Sequence, residues 1–126
     1  MRIAFDIHGT LDKDGGGILR KLVSSLINTN NIIFIISGSP TKEIKAIMGL
    51  MGFNPKDFMV ISVVEYLKSK EVSMWMNDET WWCEDSIWWS SKGMICREYE
   101  IDMIFDDKIE YKKNMPNTTK FVLWNG

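Results

Sequence analysis

The chain has 126 residues, 45% of them apolar and 25% charged, with a formal net charge of -2. That is one domain's worth of globular composition. It excludes wholesale disorder and any grip on nucleic acid through bulk positive charge, while leaving phosphorylated ligands open. The longest apolar run, Ile32 to Ile36, is far too short to span a bilayer. The Asp6 carboxylate interrupts the stretch that a signal peptide would need, so a cytoplasmic protein with no membrane partner is expected. Cys83 and Cys96 make neither a disulfide framework nor a zinc site and predict reduced thiols. Aromatic residues are unevenly placed: five of the six tryptophans fall between Trp75 and Trp89.

In chain order, Ile3-Ala4-Phe5 reads as a short strand ending at Asp6. A polar, glycine-rich stretch, Gly9 to Gly17, precedes Ile18, Leu19, Leu22, Val23, Leu26 and Ile27 at helical spacing. Asn28 to Asn31 closes that helix, and Ile32 to Ile36 reads as a strand buried on both faces. Ser37-Gly38-Ser39-Pro40 is a turn opening a helix, with Thr41 as its cap and Ile44, Ile47, Met48 and Met51 as its buried stripe. Phe58 to Val64 predicts a third strand, followed by a short polar piece, Tyr66 to Lys70. In the stretch from Val72 to Ser91, Asp78 or Thr80 could cap a helix carrying the tryptophans. Lys92 to Tyr99 predicts a helix, Ile101 to Phe105 a strand ending in Asp106-Asp107, and Phe121 to Trp124 a last strand. The alternation predicts an α/β three-layer sandwich around a mostly parallel, Rossmann-like sheet, forming a single domain over 1–126. A small lid or helical insert is expected at about 70–91.

Three predicted strands end in polar residues: Asp6, Ser37, and Asp106-Asp107. A parallel sheet brings all three ends to one edge, where ligands of such sheets bind. Carboxylates held together need a cation, and oxygen ligands few in number suit Mg²⁺.

Asp6-Ile7-His8-Gly9-Thr10-Leu11 resembles the first motif of the haloacid dehalogenase superfamily, Asp-x-Asp-Gly-Thr behind an apolar strand. Ile33 to Gly38 is similar to its second motif, Lys92 to its third-motif lysine, and Ile101 to Asp107 to its fourth motif, a strand ending in paired acids. The four stand in the family's order and cover most of the chain. The resemblance implies a small phosphatase without a large cap, acting on a phosphomonoester through an aspartyl phosphate. Asp6 would be the nucleophile. Asp6, the main chain of His8, and Asp106 would hold Mg²⁺, with Asp107 a ligand through water or an acid behind the metal. Ser37 and the Gly38 amide would bind the phosphoryl group at a helix N-terminus, and Lys92 would offset charge on Asp6 and on the transition state.

His8 departs from the pattern, because phosphatases of this family normally carry a second Asp there to protonate the leaving group and activate water. Histidine can do the same work near neutral pH, and the metal contact uses only its main chain. Two readings follow: a phosphohydrolase, weakened or not by the exchange, or a non-catalytic domain that binds phosphate and metal. An uncapped site admits a phosphorylated small molecule or a phosphorylated macromolecule as partner. The tryptophans either stack on the ligand or, the favoured reading, form a helix stripe including Trp81 and Trp88 packed on the sheet. Asp12 to Gly16 reads as a flap turn in place of a calcium loop, and Gly15-Gly16-Gly17 is no nucleotide-binding loop.

Overall fold

The computed structural model describes residues 1–13 and 16–125. The chain runs from β1 (Arg2–Phe5) through tight turns at Ile7–Leu11 to α1 (Gly16–Leu26), β2 (Ile32–Ser37) and α2 (Thr41–Leu50). A 3₁₀ turn at Pro55–Asp57 leads to β3 (Met59–Ser62) and directly into α3 (Val63–Ser69). A hairpin follows, β4 (Trp75–Asn77) and β5 (Thr80–Trp82), then α4 (Asp85–Glu98), β6 (Met103–Asp106), a second 3₁₀ segment at Ile109–Asn114, and β7 (Lys120–Leu123). The turn read as a flap, Asp12 to Gly16, lies partly outside the described residues. No helix among the described residues is long and apolar enough to cross a membrane.

The architecture is α/β. Five strands form one sheet in the order β3-β2-β1-β6-β7, and every pairing in it is parallel. Strands at the centre of such a sheet are covered on both faces, which is why β1 and β2 read as unbroken apolar runs. Side chains alternate between two clusters. Ile3, Phe5, Ile33 and Ile35 join Leu19 and Val23 of α1 and Ile44 and Met48 of α2. Ala4, Phe34, Ile36 and Ile104 join Val63 and Leu67 of α3 and Ile95 and Cys96 of α4. Of the apolar residues in α1, Leu19 and Val23 face inward while Ile18 and Leu22 are exposed.

Two expectations fail around β3 and α2, each for a visible reason, before the tryptophan segment is reached. The strand expected over Phe58 to Val64 stops at Ser62, whose hydroxyl accepts from the Glu65 amide at 3.2 Å and caps α3. Of Tyr66 to Lys70, expected as a short polar piece, Tyr66 to Ser69 supply the rest of that helix and Lys70 follows as its C-cap. Thr41 does not cap α2 with its own side chain; the Glu65 carboxylate accepts from the Thr41 amide and hydroxyl and serves that helix N-terminus.

The third failure is in the tryptophan segment. Asp78 and Glu79, with φ of 51° and 62°, form the two-residue turn of a hairpin, so neither Asp78 nor Thr80 caps a helix. Trp81 lies on β5, paired with Met76, while Trp88 lies on α4; they share no helical stripe. Trp88 and Trp89 pack against the second cluster, whereas Trp75 and Trp82 are about half exposed. α4 therefore starts at Asp85, and Lys92 sits in its middle instead of at the start of a helix. Gly93 beside it is required by close approach, since a Cβ there would collide with the Asn114 carbonyl.

Candidate functional site

The strand order reverses at β1: the chain moves outward to β2 and β3, then returns to place β6 on the other side. The gap beyond the carboxyl ends of β1 and β6 is thus the switch point at which parallel sheets bind ligands. Asp6 follows β1 and Asp106 ends β6, and the Asp6 amide donates to the Phe105 carbonyl at 3.0 Å, tying the two ends together.

From α4, across the cluster of Ile95 and Cys96, Lys92 reaches into this gap. Its Nζ donates to Asp6 Oδ1 at 2.9 Å and to Asp106 Oδ2, and the lysine is only 2% exposed. The ammonium also lies 4.6 Å from the centre of the Tyr111 ring. Burial alone would pull the Lys92 pKa down, but the Asp6 and Asp106 carboxylates together hold it above its ordinary value. Burial pushes the Asp106 carboxyl up, and the Asp6 charge adds to that, against the pull of Lys92. Burial likewise raises the Tyr111 phenol, to about 12. Thr10 Oγ1 donates to Asp6 Oδ2 at 3.2 Å, and the Lys108 amide to Asp106 Oδ1 at 3.0 Å.

Asp6, Asp106 and Asp107 each offer a carboxylate oxygen, and these oxygens lie within 4.8 Å of one another. Three carboxylates against one ammonium leave two negative charges uncompensated. Asp107 Oδ1 is buried and, among the described residues, has no hydrogen-bond partner. A buried anionic oxygen without a donor is costly, and a hard divalent cation is the partner that an all-oxygen set of this size fits. Gly9, at φ 83°, makes room for this carboxylate, because a Cβ there would collide with it.

Ser37 closes β2, one strand over, and is buried; the Ser39 amide lies 3.5 Å from its Oγ. Gly38 backs onto Trp88, whose ring would be 3.0 Å from a Cβ at that position. The helix N-terminus expected behind these two residues starts only at Thr41, where Glu65 already occupies it. The Ser37 hydroxyl and the local amides therefore stand here without that helix end.

The His8 side chain lies outside the carboxylate group and is 55% exposed. Its Nδ1 stands 3.3 Å from Asp12 Oδ2, and its Nε2 3.3 Å from Ser39 Oγ. A carboxylate only accepts, so Nδ1 carries the hydrogen toward Asp12 and Nε2 is left facing Ser39. Asp12 also accepts from the Gly9 amide at 2.7 Å, which fixes the turn.

Thr10 stands in the first motif but was given no role there, and Asp12 and Tyr111 are site neighbours outside the motifs. Asp12 stands four residues after His8, but His8 and Gly9 leave helical backbone, so that spacing alone did not mark the pair. Tyr111 had no signal, since its place depends on how the segment after β6 folds back against α4.

Beside this group lies a cleft of about 670 Å³. It is lined by His8, Gly38 and Ser39 together with Trp81, Trp88 and Trp89. Cys83 and Cys96 are buried free thiols and form no disulfide. No family model, curated protein or solved structure matches the chain.

Proposed function

We propose that the chain is a Mg²⁺-dependent phosphomonoesterase of the haloacid dehalogenase type, built on a three-layer α/β sandwich. The observation that carries this reading is the meeting of Asp6, Asp106, Asp107 and Lys92 where the strand order reverses. Asp6 attacks phosphorus; its bond to phosphorus forms as the bond to the leaving oxygen breaks, and that oxygen takes a proton from Nε2 of His8 in its imidazolium form, while Nδ1 keeps its hydrogen toward Asp12. A water then attacks the phosphorus of the aspartyl phosphate and returns a proton to His8, so inorganic phosphate leaves and Asp6 is restored. Lys92 and Thr10 hold the Asp6 carboxylate in place between the two steps. Ser37 and the Gly38 amide donate to the phosphoryl oxygens. Asp12 acts as a positioning residue, fixing the His8 ring through Nδ1. Asp6, Asp106, Asp107 and the His8 main-chain carbonyl would hold Mg²⁺, which when bound neutralises charge on the phosphoryl oxygens.

The test is hydrolysis of a chromogenic aryl phosphate with Mg²⁺ and with EDTA. Turnover with Mg²⁺ and none with EDTA is expected. No turnover on so activated an ester would leave a binding domain in place of an enzyme. Within an active protein, His8→Ala should slow an alkyl phosphate about 10²–10⁴-fold and an aryl phosphate far less, because the aryl leaving group departs readily as an anion. Equal losses on both would remove His8 as the proton donor.

The metal assignment has its own readout. Saturating Mg²⁺ should raise the melting temperature of the parent protein, an increment of about 2.7 kcal/mol at a hundredfold excess over Kd. Asp106→Asn should move the midpoint of that titration upward by about tenfold or more. An unchanged midpoint would take Asp106 out of the metal site.

A further inference from the structure

We propose that the tryptophan-walled cleft holds the leaving group of this reaction, and that this group is an alcohol bearing a flat, amino-bearing heteroaromatic of the nucleobase kind, esterified to a single phosphate. The inference rests on the phosphomonoesterase reading for the phosphate end and on independent observations for the cleft.

The first observation is continuity. His8, Gly38 and Ser39 are among the residues that line the cleft, and the proposed reaction places His8 and the Gly38 amide beside the phosphoryl group. A group that fills the cleft therefore adjoins the proposed phosphate position. Its volume, about 670 Å³, lies in the range of pockets that enclose a whole small molecule.

The walls come second. Trp81 arrives from the hairpin, and Trp88 and Trp89 from α4, so indoles from two separate elements line one space. A two-stranded hairpin is marginal by itself. This one is held by Lys68, whose Nζ lies 3.3 Å from the centre of the Trp81 ring, and by the buried Cys83 that follows it. Lys68 does not line the cleft, so Trp81 is pinned from outside while it serves as wall. Indole faces held rigid in this way are stacking platforms for planar rings, and a polyol or aliphatic chain would gain much less from them.

Charge comes third. Glu43, Glu79 and Asp85 line the cleft, and no lysine or arginine does among the described residues. Carboxylates accept hydrogen bonds and do not donate them, which suits exocyclic amino and ring N–H groups. The same carboxylates repel further phosphates, so a polyphosphate tail or a nucleic-acid strand is disfavoured and a small monophosphate favoured.

The experiment compares kcat/KM for AMP, O-phosphotyrosine and glycerol 3-phosphate in Mg²⁺, and separately follows tryptophan fluorescence as adenosine is added in EDTA. AMP should exceed glycerol phosphate by about tenfold or more and should also exceed phosphotyrosine, whose ring lacks amino donors. Adenosine, needing neither metal nor phosphate, should quench the fluorescence and inhibit competitively. Trp81→Leu and Trp88→Leu should each lower the AMP to glycerol phosphate ratio by about tenfold, a change that a merely structural loss would not produce. Equal kcat/KM on AMP and glycerol phosphate, with no effect of adenosine, would overturn the inference and leave the hydrolase standing. A preference for phosphotyrosine over AMP would overturn it as well. If none of the three esters is hydrolysed, the phosphatase reading falls, and the adenosine titration alone then decides the cleft: quenching upholds its occupant and no quenching overturns it.

Discussion

Replacing Lys92 with Met should cost the protein both its activity and much of its stability. Lys92 is fully buried between Asp6 and Asp106, and it is the cation that holds their charges together. Removing one partner of a buried pair leaves the other uncompensated, at about 3–5 kcal/mol. In a domain of this size that is a fall in melting temperature on the order of 10–20 °C. The measurement is thermal unfolding in EDTA, where no metal can take over the neutralising role. A loss of only a degree or two would mean that the carboxylates do not depend on this ammonium. Methionine nearly preserves the packing of the lysine stem, so the loss reads charge and not a cavity.

Asp6→Asn should abolish hydrolysis, a fall of roughly 10⁴-fold or more, while the fold survives. The amide is close to the carboxylate in shape and keeps one oxygen for Lys92 or Thr10, but it cannot serve as the nucleophile. The far-ultraviolet circular dichroism should match the parent, and steady-state kinetics should show no turnover above background. Undiminished turnover in this variant would remove the aspartyl phosphate from the account.

What the sequence made legible is what a parallel sheet imposes. Ile3-Ala4-Phe5 and Ile32 to Ile36 read as strands because both of their faces are covered. Asp6, Ser37 and Asp106 were expected at one edge because parallel strands point their carboxyl ends the same way. The tryptophan segment was illegible for equally physical reasons. Its hairpin turns through Asp78-Glu79, without the glycine or asparagine that usually marks such a turn, and both residues take left-handed backbone. Its strands are three residues each, too short to establish a period of two. Val63 and Val64 extended the apolar run of β3, yet the Ser62 hydroxyl caps a helix there, a local bond that outweighs β-branched preference. The pairing of His8 with Asp12 depends on the Gly9 turn that brings them together, which the motif's spacing did not show.

The central claim, that Asp6 carries the phosphoryl group between substrate and water, is tested most directly by trapping it. The protein turning over a phosphomonoester in Mg²⁺ would be quenched in acid, digested, and read by mass spectrometry. One HPO₃ unit on the peptide containing Asp6, absent from Asp6→Asn and absent when EDTA replaces Mg²⁺, is the predicted result. Full turnover with no phosphate on that peptide, or phosphate on His8 instead, would contradict it.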